Sequence, residues 1–399
     1  MHGYRRAWVA TLTLIVGLGA AAGVSAWWYR TTRPLYRLRQ GQEALRHGRP
    51  DKADRLAESL EADGHSDYAH LLRGEAFLRE HQFDQAIHEF QRIQDESDLR
   101  VEASAIYGLA FLSVKRLWEA EQLLRYVVSK QPDHLDAHRG LAAIYYDQGA
   151  LTLAVHHAKE CARLEPHKGY PFWFMAVIYK DLGQYASALE AYREASQREL
   201  SSQQADEVQE GLAEVLTLQK DYARALAILE QCPAAVSAKL MMLACRAECL
   251  WGLGRASEAK QLLDSLLSKQ PHVPEALRLR AKLYLSDNEP QKAATLLEEA
   301  VQHDRHDYQS RYQLAQAYQM LGRSSDAAEQ ERLCKQTQEY LAELTSLNEA
   351  VAERPWDVTM RNRLANVCDR LDKHDLAAMW RQAAAAALTP LGGSSANRR

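Results

Sequence analysis

Two places in the 399-residue chain set metal- or redox-competent side chains one helical turn apart. His156-His157 is followed by Cys161, so a helix would bring a nitrogen and a sulfur ligand to one face. Cys245 and Cys249 share that spacing. A zinc site needs three or four ligands and neither place offers a third, so both read as core or groove packing. The six cysteines contain no Cys-x-x-Cys and form no dense framework. Cys161, Cys232 and Cys334 fall where Ala195 and Ala300 stand in equivalent segments, the place of a small buried apolar residue. There is no Gly-x-Ser-x-Gly, His-Glu-x-x-His, Walker loop or EF-hand loop. Gly17-x-Gly19-x-x-Ala22 imitates a dinucleotide fingerprint but lies in an apolar run with no strand before it. Nothing in these patterns calls for catalysis, a metal or a cofactor.

The elements that would position any site are short helical hairpins. From Gly169 to Ser202, Phe172, Met175, Ala176 and Tyr179 form an apolar stripe at helical spacing. Gly183 stops that helix, and Tyr185, Ala188, Leu189, Tyr192 and Ala195 form the stripe of a second. A pair this short cannot bury its faces alone and needs neighbours of the same kind. They are present: 34 residues earlier Ala176, Tyr179, Gly183 and Ala188 become Ala142, Tyr145, Gly149 and Ala154. A further 34 residues back stand Gly108, Phe111, Lys115 and Ala120, and Pro132 and Pro166 keep the same interval.

This period and pattern resemble the tetratricopeptide repeat family, over Pro34 to about Leu391. The resemblance implies an all-α fold, a right-handed superhelical solenoid of about ten hairpins. The repeats fall near 34–66, 67–100, 101–134, 135–168, 169–202, 206–239, 240–273, 274–307, 308–341 and 358–388. Three extra residues shift the sixth. Asp326 to Glu353 contains neither Gly nor Pro and predicts one unusually long helix, ended by Pro355. Residues 389–399 are rich in Gly and Ser and read as a disordered tail. In such a series each hairpin meets its chain neighbours and leaves a long open trough. No stretch is left over for a separate catalytic domain.

The family's first helices line the concave side, which holds an extended peptide or a partner helix. The resemblance therefore nominates Arg139, Tyr146 and Asp147 in the fourth repeat, and Tyr170, Trp173, Lys180 and Asp181 in the fifth. Aromatic faces beside paired charges suit a peptide groove, and they equally suit packing between repeats. Glu207, Glu210 and Glu214 form an acidic band on the same face, and Arg278 and Lys282 a basic one. The Lys and Asn pattern that clamps a partner's terminal carboxylate in some members is not evident; Asn362 and Asn366 stand without the lysines.

Ahead of the repeats, residues 1–6 are a short basic tail and 7–29 read as a membrane anchor. Ala7 to Trp28 is 22 residues without a charge, about 33 Å of helix, enough to span a bilayer core. Val24-Ser25-Ala26 would also serve as a cleavage site, but the apolar run is long for a signal peptide. Gly19 and Gly23 have the spacing of a helix-dimer seam. The basic tail puts the body on the exoplasmic side, while Arg30, Arg33, Arg37 and Arg39, together with unpaired cysteines, argue the reverse. The formal net charge of −4 gives no global reason to bind nucleic acid. The expectation is a single-pass, non-catalytic scaffold for protein or peptide partners. The alternatives are an enzyme hidden in the repeats, or lipid binding by the basic first repeat through Arg46, Arg49, Lys52 and Arg55.

Overall fold

The computed structural model describes residues 33–354 and 357–386, and every regular element among them is a helix. The helices pair in sequence: α1 (33–46) with α2 (Pro50–Ala62), α3 (Ser66–Arg79) with α4 (Phe83–Gln91), and α5 (Arg100–Ser113) with α6 (Leu117–Lys130). Then come α7 (Leu135–Asp147) and α8 (Leu151–Leu164), α9 (Tyr170–Asp181) and α10 (Tyr185–Ser196), α11 (Ser202–Leu218) and α12 (Tyr222–Gln231). A single turn, α13 (Ala234–Ser237), precedes α14 (Leu240–Gly252) and α15 (Ala256–Lys269). The last pairs are α16 (Pro274–Ser286) with α17 (Pro290–His303), α18 (Tyr308–Met320) with α19 (Ser324–Glu353), and α20 (Val358–Arg370) with α21 (His374–Ala386). This is an all-α solenoid of stacked hairpins.

The turn inside each hairpin is closed by one residue with positive φ. Gly48, His81, Lys115, Gly149, Gly183, Lys220, Gly254, Asn288, Gly322 and Asp372 all have φ between 57° and 79°. That region is strain-free for Gly and costs other residues a Cβ clash. Successive positions are 33 or 34 residues apart, except for 37 between Gly183 and Lys220 and 50 between Gly322 and Asp372. The first exception is the three-residue shift in the sixth hairpin. The second is the extra length of α19, whose 30 residues start at Ser324 and end at Glu353.

Two compact units partition the chain. The first takes in α1 to α5 and Gln122–Pro132. Its core holds Ala57, Leu60, Leu72, Phe90, Tyr107 and Phe111, each at most 1% exposed. Helices cross closely at small residues: a Cβ added at Gly74 would lie 1.4 Å from the Tyr107 hydroxyl. The second unit holds Arg116–Glu121 at the start of α6 and the hairpins from Asp133 onward. There Ala142, Ala176, Ala188 and Ala293 occupy the crossing points and are at most 1% exposed. Gly211 does the same against the ring of Tyr192.

Within the second unit, stacking purely in series is not what the chain does, and the expectation of an uninterrupted open trough is corrected. At about 1.5 Å per residue α19 runs about 45 Å, one and a half times a standard hairpin helix or more, and it carries the chain back on itself. Its Asn348 approaches Gly149, where an added Cβ would meet the Asn348 amide at 2.5 Å. Trp118 then joins Leu347, Leu364, Ala365, Cys368 and Trp380 in one core. Distant hairpins touch because the long α19 brings α20 and α21 back to Trp118 at the start of α6.

No described helix is long and apolar enough to cross a membrane. The anchor at 7–29, the Gly19/Gly23 seam, Pro355 and the tail at 389–399 lie outside the described residues.

Candidate functional site

The nominated residues sit on α7 and α9. Tyr146, near the end of α7, donates its hydroxyl to Asp181 at the end of α9, 2.8 Å away. Burial first, then that carboxylate, pushes the Tyr146 phenol up. The Tyr146 ring meets Phe174 edge-on at 5.4 Å, and Phe174 lies parallel to Tyr170 at 6.3 Å. Tyr170 in turn contacts Trp173 at 5.3 Å. The structure thus brings Tyr146, Tyr170, Trp173 and Asp181 together across two neighbouring first helices. Phe174 completes the set and was missed; it lies one turn after Tyr170, the spacing that puts both on one face.

Arg139, Lys180 and Asp181 are all engaged, Arg139 within its own hairpin and the other two with neighbouring ones. Arg139 donates to Glu165 and to Asp136, the latter at 3.2 Å. Lys180 donates to Glu214 of α11 at 2.8 Å. Tyr146–Asp181 and Lys180–Glu214 span 35 and 34 residues, so they are staples between consecutive repeats. Asp147 is exposed at the end of α7. Tyr170, 40% exposed, is the large apolar surface left on this cluster. In the first unit Arg37 is likewise committed, to Ser59 and to Asp63 at 2.6 Å.

A second feature was read in the sequence only as bands of charge. Helices α11, α14, α16 and α18 line an open cavity of about 400 Å³. Its lining combines the carboxylates of Glu214, Glu248 and Glu275, the cations of Arg278 and Lys282, and the apolar side chains of Leu218 and Met241. Leu218 is 45% and Met241 42% exposed. Arg278 is held by Asp307 at 2.8 Å, and the Lys282 ammonium lies 4.6 Å from the Trp251 ring centre. The Gln313 carbonyl oxygen, on the cavity wall, is buried with no hydrogen-bond partner among the described residues. Cys245 also lines the cavity, but burial, then Glu214, pushes its thiol up to about 12. A thiol so placed is a poor nucleophile.

The two spacings that suggested chemistry face inward. His157 Nδ1 lies 2.9 Å from His138 Nδ1, and its ring stacks on Tyr145. Cys161 is buried and burial raises its thiol to about 11. Cys249 shares a 3.4 Å contact with Thr217. Cys161 and Cys334 are core residues as the sequence suggests, while Cys232 is only partly buried at the end of α12. Among the described residues, the three side chains close enough to share a metal ion are His272, Glu299 and His303.

Stacked helical hairpins with a left-handed turn at a fixed interval define a helical-repeat protein. The chain belongs to the tetratricopeptide repeat family: models of that repeat match 38–99, 71–128, 108–163, 175–236 and 284–330, together more than half of the sequence. Comparison with curated proteins finds no match. A tetratricopeptide repeat protein from Parabacteroides merdae is similar with a TM-score of 0.48 and 14% identity, over 63% of this chain and 98% of that one. The human IFIT1 dimer with m7Gppp-AAAA gives 0.44 and 13% over 90% of each chain. Pseudomonas aeruginosa pilF gives 0.42 and 19% over 53% and 95%. These are likenesses of fold alone.

Proposed function

We propose that the chain is a non-catalytic interaction scaffold, tethered to a membrane by residues 7–29, with its repeats on the exoplasmic side. The observation that carries the scaffold reading is the cavity of α11, α14, α16 and α18, where exposed Leu218 and Met241 share the wall with carboxylates and cations. Apolar anchors give affinity and the flanking charges give register. The occupant is an extended peptide or a helix with one or two apolar side chains. Its basic end would face Glu248, and its acidic end Lys282. The Tyr146–Phe174–Tyr170–Trp173 cluster extends the same set of first helices toward the amino terminus and supplies a second apolar contact. The absence of charge from residues 7–28 supports the tether.

A photo-reactive amino acid at Leu218 or Met241 of the full chain, in the cell that makes it, tests the groove. The expected result is a discrete protein adduct that Lys282→Glu abolishes. Positions Glu190 and Arg193, exposed on the second helix α10, are the controls. Equal adducts from both sets would reject the groove. Protease protection of a tag at Arg399 in intact cells tests the side: cleavage only after the membrane is breached would place the repeats inside.

A further inference from the structure

We propose that His272, Glu299 and His303 form a site for a borderline transition-metal dication, with Zn²⁺ as the type, independent of the groove. His272 lies in the loop between α15 and α16, between Pro271 and the Val273-Pro274 start of α16. The two prolines fix φ on either side and restrict where the imidazole can go. Glu299 and His303 are four residues apart near the end of α17, so the helix presents them on one face.

The geometry is near that of a three-ligand centre. His272 Nδ1 lies 2.6 Å from the Glu299 carboxylate, and the His272 and His303 rings are 4.4 Å apart. One ligand atom from each residue lies within 4.8 Å of the other two. Tetrahedral zinc at 2.0–2.2 Å from nitrogen and oxygen holds its ligand atoms about 3.4 Å apart. On this proposal the three side chains close onto the ion by rotation about their own bonds. The His272 side chain is 57% exposed, so rotation meets little resistance. A His–Glu ion pair would need only two of these residues. The third, a second imidazole at van der Waals distance from the first, is what a metal centre adds.

Two imidazoles and one carboxylate favour Zn²⁺, Ni²⁺ or Cu²⁺ over the oxygen-seeking Mg²⁺ and Ca²⁺. Three protein ligands leave a fourth position for water or for a donor from another molecule. Because the ligands come from the loop before α16 and the end of α17, a bound ion would staple the base of that hairpin.

The test is calorimetric titration of the full chain with zinc chloride, beside magnesium and calcium chloride. One zinc per chain is expected, with no heat from the other two ions. His303→Ala and His272→Ala should each weaken zinc binding at least tenfold. Cobalt(II) should give the intense visible absorption of a tetrahedral site, lost in both variants. The melting temperature should rise with zinc concentration in the parent and not in the variants. Both substitutions are at exposed positions, and circular dichroism of the metal-free variants confirms that they fold. Stoichiometric binding that survives in the double variant, or no stoichiometric binding by the parent, overturns the proposal.

Discussion

The Arg361 guanidinium lies 3.7 Å from the centre of the Trp118 ring, joining α20 to the start of α6. Arg361 is 1% exposed; it donates to the Ala383 carbonyl at 2.9 Å and stands 4.0 Å from Glu121. Burial lowers its pKa to about 10, with the Glu121 charge opposing, so at neutral pH a full cation is enclosed. This contact holds the α20–α21 hairpin against the start of α6.

Arg361→Ala should therefore cost about 3 kcal/mol, since it leaves Glu121 with one cation fewer and opens a cavity under Trp118. Arg361→Met should cost less, because apolar volume replaces a buried ion. Urea denaturation gives both values. Amide exchange should quicken in Val358–Ala386 well before it does in α9. A double-mutant cycle of Arg361→Met with Trp118→Leu should show about 1 kcal/mol of coupling. Full additivity would mean the stacking does not bind the hairpin.

Glu75 gives a pH dependence of unusual sign. Burial raises its carboxyl from 4.5 to about 7, against the Gln42 amide that donates to it at 2.7 Å. The folded state thus holds a proton that the unfolded state releases. Below pH 4.5 both states are protonated and Glu75 is neutral in its effect. As pH rises to about 7 the charge must be buried, and stability falls by up to about 3 kcal/mol, less in proportion to the remaining exposure. Glu75→Gln should remove that slope and make the protein more stable at pH 8. Urea midpoints between pH 4.5 and 8 decide it; parallel curves for the two proteins would contradict the buried-carboxyl account.

Lys220 closes the α11–α12 turn at φ 63° with an exposed side chain. A left-handed conformation costs a non-glycine residue about 1–2 kcal/mol, and glycine returns about 0.5–1 kcal/mol of that in unfolded-state entropy. Lys220→Gly should thus stabilise by about 0.5–1 kcal/mol. Gly183→Ala, at the same place in the preceding hairpin with φ 70°, should destabilise by a similar amount. A thermal melt of each variant reads the sign, and loss of stability in Lys220→Gly would show that its side chain does more than cap the turn.

The period was legible because the contacts that build a hairpin stack are local. Each crossing glycine meets a side chain within about one repeat, Gly74 with Tyr107 and Gly211 with Tyr192, so the pattern recurs in the sequence. Of the nominated site residues, Tyr146, Tyr170 and Trp173 do form one cluster. Phe174 was overlooked because it hides in the run Phe172-Trp173-Phe174, where the helical face is set by neighbours in other repeats. The closure through Trp118, Glu121 and Arg361 has no periodic trace. An arginine in a polar helix reads as exposed until a distant tryptophan covers it. The His272, Glu299 and His303 trio is likewise invisible along the chain, since its first two members lie 27 residues apart.

Tyr107 carries the clearest packing defect of the first unit. Its side chain is fully buried, yet its hydroxyl has no hydrogen-bond partner among the described residues. Burial pushes the phenol up, with Glu75 and Glu89 adding to it. The hydroxyl points at Gly74, where even a Cβ would lie 1.4 Å away. An unsatisfied buried hydroxyl costs about 1–3 kcal/mol. Tyr107→Phe should keep the ring contacts with Phe90 and Phe111 and stabilise by about 1 kcal/mol. Gly74→Ala should destabilise by about 2 kcal/mol or more through overpacking. Its cost should shrink in the Tyr107→Phe background without vanishing, because the ring carbon that bears the hydroxyl would still lie 2.6 Å from the new methyl. Equilibrium unfolding of the two single variants and the double variant measures all three. If Tyr107→Phe loses more than about 1 kcal/mol, the hydroxyl has a bound partner and the defect is not one.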